Sequence, residues 1–335
     1  LYAVSVPTAD CELIHSWNHI PLGPKPFIVS IEGDVPQVLA GRGGALARSL
    51  LRPMLLSRRC RGLFPVSAYL QRLFSRHNEG WARLDEALAK CRVVHPNLPL
   101  RRTTPRRLNR DLLTLTFAGN EWGRKGGAVC TRLARLFRAE RVPFRFNIVS
   151  GMIVDIQVYT DTVRAFYDSD FREMETGEFR VFRNIPNEEV LGLFQESDFV
   201  LLPTLDDTFG YSMLEAMSCG VPAVATRLCS IPEVIDDGTN GILLDIPVDA
   251  IGRWRHVYAT TPQRDTDGYR DVLNTTFDDL ARQCFARIME IREGRRDYEA
   301  MSQAAIDTIR NRFEANARAR EWHQIYRECL GLPPA

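Results

Sequence analysis

From Leu112 onward, short apolar runs alternate with segments of helical spacing, and this alternation leaves few folds open. LLTLTFAG (112–119), FRFNIVSG (144–151), FRVFRNI (179–185), DFVLLPT (198–204) and PAVATR (222–227) read as five strands. Between them lie three helices. One carries Val129, Leu133, Leu136 and Phe137 on a face; the others are EEVLGLFQES (188–197) and SMLEAMSCG (212–220), the last ended by Gly220. Strands separated by helices need crossover connections, so the sheet must be parallel and covered on both faces. The unbroken apolar character of VLLP and PAVAT fits strands buried on both sides. The tail reads as helices over 271–292, 298–312 and 314–330, with Phe313, Ala317, Trp322, Ile325 and Tyr326 as an apolar seam. Residues 260–272 read as a polar loop.

A chain of 335 residues suits two domains rather than one core. Ahead of the alternating region, ADCELIHSW (9–17) and FIVSIEGD (27–34) read as strands with connections at 18–26 and 33–44. Leu46, Leu50 and Met54 predict a helix over 45–61. A second helix is expected over 79–90 and a strand at CRVVHPNLP (91–99). The basic, proline-interrupted stretch RRTTPRRLNR (101–110) reads as a linker. The expected domains are 1–108, 109–312 and a C-terminal helix, 313–335, that crosses back to the first. Eight cysteines form no CxxC pair and sit mostly in apolar runs, so they read as buried thiols in a reducing compartment. His and Cys do not cluster, and no metal site is expected. No run reaches the ~18–20 apolar residues that span a bilayer. No secretory leader is read at Leu1, which points to a cytoplasmic location.

Two strand–loop–helix junctions carry chemistry. In the first, Asp207-Thr208-Phe209-Gly210-Tyr211-Ser212-Met213-Leu214-Glu215 follows the strand that ends near Pro203. Ligands of parallel sheets bind beyond the carboxyl ends of strands, and free amides at a helix start favour phosphate. Glu215, one or two turns into the helix, is placed to accept hydrogen bonds from a ribose diol, and Asp207 those of a sugar. In the second, Gly119-Asn120-Glu121-Trp122-Gly123-Arg124-Lys125-Gly126-Gly127 sets adjacent cations at a helix start. Such a pair can neutralise a diphosphate, Arg as a fork and Lys as a point charge. Each junction alone also fits a plain reading: surface acids on an ordinary turn, or a solvated basic turn.

Together, in this order and about 80 residues apart, the two junctions resemble the retaining glycosyltransferases of family 4, glycosyl transferases group 1. Residues 207–215 resemble the family's E-x7-E element, and PEVIDDGTNGILLD (232–245) resembles the sequence that follows it. GNEWGRKGG (119–127) resembles the diphosphate clamp, in a form similar to the lipopolysaccharide-core glucosyltransferase branch. The likeness covers 112–250, with a fainter match of IHSWN and PFIVSIEGD to two acceptor-domain strands. It implies an α/β, GT-B architecture: two Rossmann-like parallel-sheet domains facing a cleft, the first shorter than usual and incomplete.

The resemblance implies transfer of a glycosyl group from a UDP- or GDP-sugar to a hydroxyl of a glycan or glycolipid, with retention. Arg124 and Lys125 would hold the diphosphate and Glu215 the ribose. Phe209, the amides of Gly210, Tyr211 and Ser212, and the turn at Gly119 and Asn120 would line the donor, and Asp207 would bind the transferred sugar. No cofactor beyond the donor is required. Three positions depart from the pattern. Asp207 replaces the leading Glu and reaches roughly 1.5 Å less. Asn120 stands where many relatives carry Arg. Glu32, near Asp34, stands where a functional His is often found, and it is the expected acceptor-side acid or base; His15 fits a structural role equally well. Two other readings stay open: a non-catalytic sugar-nucleotide-binding protein, and a GT-B hydrolase or epimerase.

Charge is uneven. Residues 42–110 hold 16 arginines and lysines against three acids, a net +13, so the rest of the chain carries −12. The stretch 41–64, with Arg48, Arg52, Arg58, Arg59 and Arg61 among leucines, reads as a basic amphipathic helix for an anionic membrane surface. The alternative is a core helix with a solvated basic face. Aromatic interleaving and a recognisable module are both lacking, so nucleic acid is not expected as a partner.

Overall fold

The computed structural model describes residues 3–6, 10–38, 42–155, 158–258 and 260–333. It divides into two units, one of 1–97 with 313–335 and one of 98–312. Each is an α/β assembly of parallel strands, the fold class the strand–helix alternation predicts.

In the first unit the strands are β1 (Val4–Ser5), β2 (Ile14–Trp17), β3 (Ile20–Pro21), β4 (Phe27–Ile31) and β5 (Cys60–Pro65). They form a parallel β2–β4–β5 sheet and a β1–β3 pair. The helices are α1 (Arg42–Leu56), α2 (Ala68–His77) and α3 (Leu84–Leu88). Alternation along β4 sends successive side chains to opposite faces. Phe27, Val29 and Ile31 join Leu55, Leu63 and Phe74 in one cluster, while Ile28 packs with Phe64 and Val94 on the other face.

The structure corrects several sequence expectations here. The helix over 79–90 shrinks to Leu84–Leu88, and 91–99 forms no named strand, only isolated bridge residues such as Cys91, which pairs with Leu63. Helix α2, which the sequence reading leaves unassigned, is opened by Ser67, whose side chain accepts from the Leu70 amide. In α1 the inward side chains are Leu51, Met54 and Leu55, whereas Leu46 and Leu50 are 63% and 67% exposed. Apolar stripes 46/50/54 and 51/54/55 compete on that helix, and the sheet captures the second. Gly41, where the basic stretch begins, lies outside the described residues.

The second unit holds β6 (Leu113–Ala118), β7 (Phe144–Val149), β8 (Phe179–Phe182), β9 (Phe199–Leu202), β10 (Ala223–Thr226) and β11 (Gly241–Leu244). Among the described residues these form one parallel sheet in the order β11-β10-β9-β6-β7-β8. Its helices are α4 (Gly127–Ala139), α5 (Asp168–Glu173), α6 (Asn187–Glu196), α7 (Tyr211–Ser218), α8 (Thr261–Arg264), α9 (Asp267–Arg292) and α10 (Tyr298–Arg312). Strands β9, β10 and β11 are buried at every position, as their continuous apolar sequence requires. Much of 260–272 is helical rather than a loop: the Thr266 side chain accepts from the Tyr269 amide and opens α9. The stretch 101–110 has no regular structure but lies fixed along this unit. Arg101 and Arg102 donate their amides to the Ser218 carbonyl at 3.1 and 3.0 Å, and Arg106 to Ser302 Oγ at 2.9 Å.

The last helix, α11 (Ala315–Leu330), belongs to the first unit. Ile325 joins the Ile28–Phe64–Val94 cluster, with Trp322 and Tyr326 packed against it. His15 bonds Tyr326 Oη at 2.8 Å and Ser30 Oγ at 2.7 Å, so it ties this helix to the sheet. Every site-independent role open to His15 in the sequence is met by these two bonds.

Candidate functional site

Strand order in the large sheet reverses between β6 and β9. β7 and β8 are added on one side of β6, and β10 and β11 on the other side of β9. A crevice opens beyond the carboxyl ends of two such strands, where their outgoing loops part. The loops are 119–126 after β6 and 203–210 after β9, the two junctions singled out in the sequence.

These loops interlock. Gly126 adopts a left-handed φ of +76°, and a Cβ there would lie 1.9 Å from the Pro203 carbonyl oxygen. No other residue permits that approach. The Arg124 carbonyl accepts the Leu205 amide at 2.8 Å and Thr204 Oγ1 at 2.9 Å. Gly210, at φ +85°, ends the second loop and opens α7.

The charged side chains pair across the two loops. Lys125 Nζ lies 2.6 Å from Asp207 Oδ2, and Asp207 is only 6% exposed. Asp207 Oδ1 accepts the amides of Phe209 and Gly210 at 3.3 and 3.2 Å. Arg124 donates to Glu121 Oε2 at 2.8 Å and to the Asp206 carbonyl at 3.0 Å. Asp206 is in turn gripped by Arg253 through both carboxylate oxygens, at 3.2 and 2.9 Å. Glu215, in the second turn of α7, accepts from Asn187 Nδ2 at 3.3 Å. Burial pushes its carboxyl above the ordinary value, partly offset by that hydrogen bond.

The structure therefore brings together Arg124, Lys125, Asp207, Phe209 and Gly210. Phe209 is buried beneath the loop, and the exposed Tyr211 ring stands 5.7 Å from it. Ser212 lies in the first turn of α7, half-buried. Gly119 packs against Lys125, where a Cβ would meet the lysine's own Cβ at 2.8 Å. Asn120 is exposed and its Oδ1 accepts the Gly151 amide at 3.2 Å, so it braces the loop instead of adding charge. Glu32 belongs to the first unit, where Trp17 Nε1 donates to it at 2.9 Å. Sequence reasoning passed over Glu121, Asp206, Thr204 and Arg253. Glu121 was readable as an i,i+3 partner of Arg124; the other contacts arise only from folding. Chemically, two cations and a helix start converge at the switch point, which suits a polyanion such as a diphosphate.

A parallel α/β sheet with charged loops paired at its switch point defines the fold class to which this unit belongs. Residues 113–252 match the family model described as glycosyl transferases group 1. A D-inositol 3-phosphate glycosyltransferase of Arthrobacter is 31% identical over 137 residues, 39% of this chain and 30% of that protein. An N-acetyl-alpha-D-glucosaminyl L-malate synthase of Bacillus anthracis is 44% identical over 59 residues, 18% of this chain and 16% of that protein. The matched stretch thus spans less than a third of either relative's length. Sucrose-phosphate synthase from Thermosynechococcus elongatus superposes with a TM-score of 0.62 at 14% identity, covering 96% of this chain and 74% of that one. An Anabaena protein, HepE, solved in complex with UDP and glucose, gives 0.57 at 12% identity, covering 91% and 72%. The fold is that of GT-B glycosyltransferase structures, and the likeness to the glycosyl transferases group 1 model lies within residues 113–252.

Proposed function

We propose that this chain transfers a glycosyl group from a nucleoside diphosphate sugar to a hydroxyl of a glycan or glycolipid, with retention at the anomeric carbon. The observation that carries the reading is the pairing of Arg124 and Lys125 with the 203–210 loop at the switch point of the sheet. In the reaction the bond from the anomeric carbon to the diphosphate oxygen breaks and the bond to the acceptor oxygen forms. The hydroxyl proton passes to a base, and the first unit's Glu32 is the acceptor-side carboxylate in this reading. Arg124 and Lys125 take up the charge that develops on the departing diphosphate, a role for which preset cations are effective. When the diphosphate engages Lys125, Asp207 is released toward the sugar hydroxyls. Glu215 holds the ribose, its burial strengthening a hydrogen bond that water would weaken.

A binding role without transfer draws on one feature, the shorter reach of Asp207. A misplacement of about 1 Å can lower a rate ~100-fold. Calorimetric titration with UDP-glucose and GDP-mannose, followed by a transfer assay, separates the two. Micromolar binding that Glu215→Ala weakens at least about tenfold supports the donor site. Binding without turnover on any hydroxyl acceptor would replace transfer by the binding role. Membrane contact through 41–64 is retained as part of the proposal in narrower form, with Leu46, Leu50, Arg58 and Arg61 as the exposed groups. Arg48, Arg52 and Arg59 are engaged within the unit by Asp34, Asn78 and the carbonyls of Lys25 and Pro21. A cytoplasmic site of action follows from a cytoplasmic sugar-nucleotide supply and belongs to the same proposal.

A further inference from the structure

Beneath the 119–126 loop lies a carboxylate that the donor-site reading does not use. Asp161 is fully buried, and a Cβ placed on Gly123 would fall 1.7 Å from its Oδ1 and 2.2 Å from Tyr167 Oη. The backbone at Gly123 therefore rests directly on this pair, and Arg124 is the next residue. Tyr167 Oη donates to Asp161 Oδ1 at 2.7 Å, and the Asp155 amide reaches Oδ2 at 3.4 Å. The same segment is stitched to the loop above it: Trp122 donates its amide to Ile153 at 2.8 Å, and Ile153 to Asn120 at 2.9 Å.

The support under Asp161 comes from a distant part of the chain. Arg264, itself buried, donates to the carbonyls of Val158 and Asp161, the latter at 2.9 Å. Thr162 Oγ1 returns a hydrogen bond to the Arg264 carbonyl at 2.9 Å, and Tyr269 Oη donates to the Thr160 carbonyl at 3.0 Å. The arginine grips the backbone around Asp161, and among the described residues no cation is hydrogen-bonded to the carboxylate. The polar groups that do touch the carboxylate are a phenol and an amide, both neutral.

We propose that Asp161, with Tyr167, is a positioning group for the donor loop, and that it takes up part of a proton from solvent when a sugar-nucleotide diphosphate settles on Arg124 and Lys125. The inference rests on the donor-site reading above. Its physics is mutual repulsion: an ionised Asp161 and a bound diphosphate draw on the same Arg124. Burial already pushes the Asp161 carboxyl up to about 7, against the opposing pull of the Tyr167 hydrogen bond, the Asp155 amide and the charges of Arg264 and Arg124. Tyr269 faces the same cluster from α9 and is held neutral by burial. A second negative group near Arg124 shifts the balance further toward the neutral acid. By reciprocity, the neutral acid must favour the diphosphate.

The test is calorimetric titration with UDP-glucose and with GDP-mannose between pH 6 and 8, in two buffers of different ionisation enthalpy. The diphosphate of a sugar nucleotide does not titrate in this range, so any proton exchanged belongs to the protein. Wild-type protein should bind about 2- to 5-fold more tightly at pH 6 than at pH 8, the effect of about half to one unit of coupled pKa. It should take up part of a proton near pH 7. Asp161→Asn should bind with no such slope and no uptake. Tyr167→Phe, which removes a bond that favours the ionised acid, should move the transition to higher pH, a change that loss of packing alone would not produce. A slope unchanged in Asp161→Asn, or a transition unmoved in Tyr167→Phe, overturns the inference. Flat binding by the wild-type protein overturns it while leaving the donor site intact. No binding of either sugar nucleotide by the wild-type protein overturns the donor-site reading and this inference with it.

Discussion

Each unit holds a largely buried aspartate near its functional loops, and the two are neutralised in opposite ways. In the first unit Arg48 forks onto Asp34 at 3.1 and 3.0 Å, and His77 Nδ1 stands 3.3 Å away. Burial alone would raise the Asp34 carboxyl, but the hydrogen bonds from His77 and Arg48 prevail and hold it below the usual value. In the second unit the donors in contact with Asp161 among the described residues are neutral, so burial prevails and the carboxyl rises. A cation in contact makes an acid part of the scaffold. A cation one residue removed leaves the acid responsive to whatever else that cation binds. Arg48 is of the first kind and Arg52 is held by Asn78, so the basic first unit offers fewer free charges than its sequence suggests.

The comparison breaks first at the cations. Lys125→Ala should lower transfer by about 100-fold or more, as expected for loss of a group that stabilises a developing anion. Arg48→Ala should leave the rate constant within about twofold while lowering the melting temperature. Comparable rate losses in the two variants would erase the distinction between site and scaffold. Next in size is Gly123→Ala, whose methyl group must displace the Asp161–Tyr167 pair. Denaturant unfolding should show a loss of roughly 2–3 kcal/mol, in the range of overpacked cores.

Other effects appear in the pH dependence of unfolding. Asp34, depressed in the folded state, contributes stability above its unfolded pKa that is lost as pH falls through the folded value, in the acid range below about 4. Asp161, raised to about 7, works the other way: the folded state holds the proton more tightly, so stability falls as pH rises from about 4 to about 7. Asp34→Asn should flatten the acid limb and Asp161→Asn the limb above it. Exchanging those outcomes would reverse the assignment. The smallest effect concerns anionic vesicles. Arg58→Glu with Arg61→Glu should weaken any partition, since each cation near such a surface is worth about 1 kcal/mol. Retained partition would remove this face from the proposal.

The second unit was the more readable in sequence. Its strands β9 and β10 are buried at every position, so VLLP and PAVAT stand out as apolar runs whatever surrounds them, and LLTLTFAG is nearly as clear. In the first unit the short β2 pairs at an edge, with His15 and Trp17 exposed, and weaker patterns result. Helix α2 does carry a readable signal, with Ser67 ahead of Tyr69, Leu70, Leu73 and Phe74 at helical spacing. Strand β11 is four residues long and sits beside turn residues that hide it. At the site, Arg124, Lys125 and Asp207 were legible because each lies where a strand ends and a helix begins. Their supports were not. Asp206 meets Arg253 across 47 residues and Asp161 meets Arg264 across 103, and no local pattern encodes contacts of that range.

The closeness of Gly126 to the Pro203 carbonyl sets a rule for anyone re-engineering this chain. Because the backbones of the two site loops touch where no side chain fits, neither can be lengthened, shortened or swapped alone. A graft aimed at a different donor has to carry both loops as a matched set, and libraries that randomise one while freezing the other will mostly sample misfolded chains.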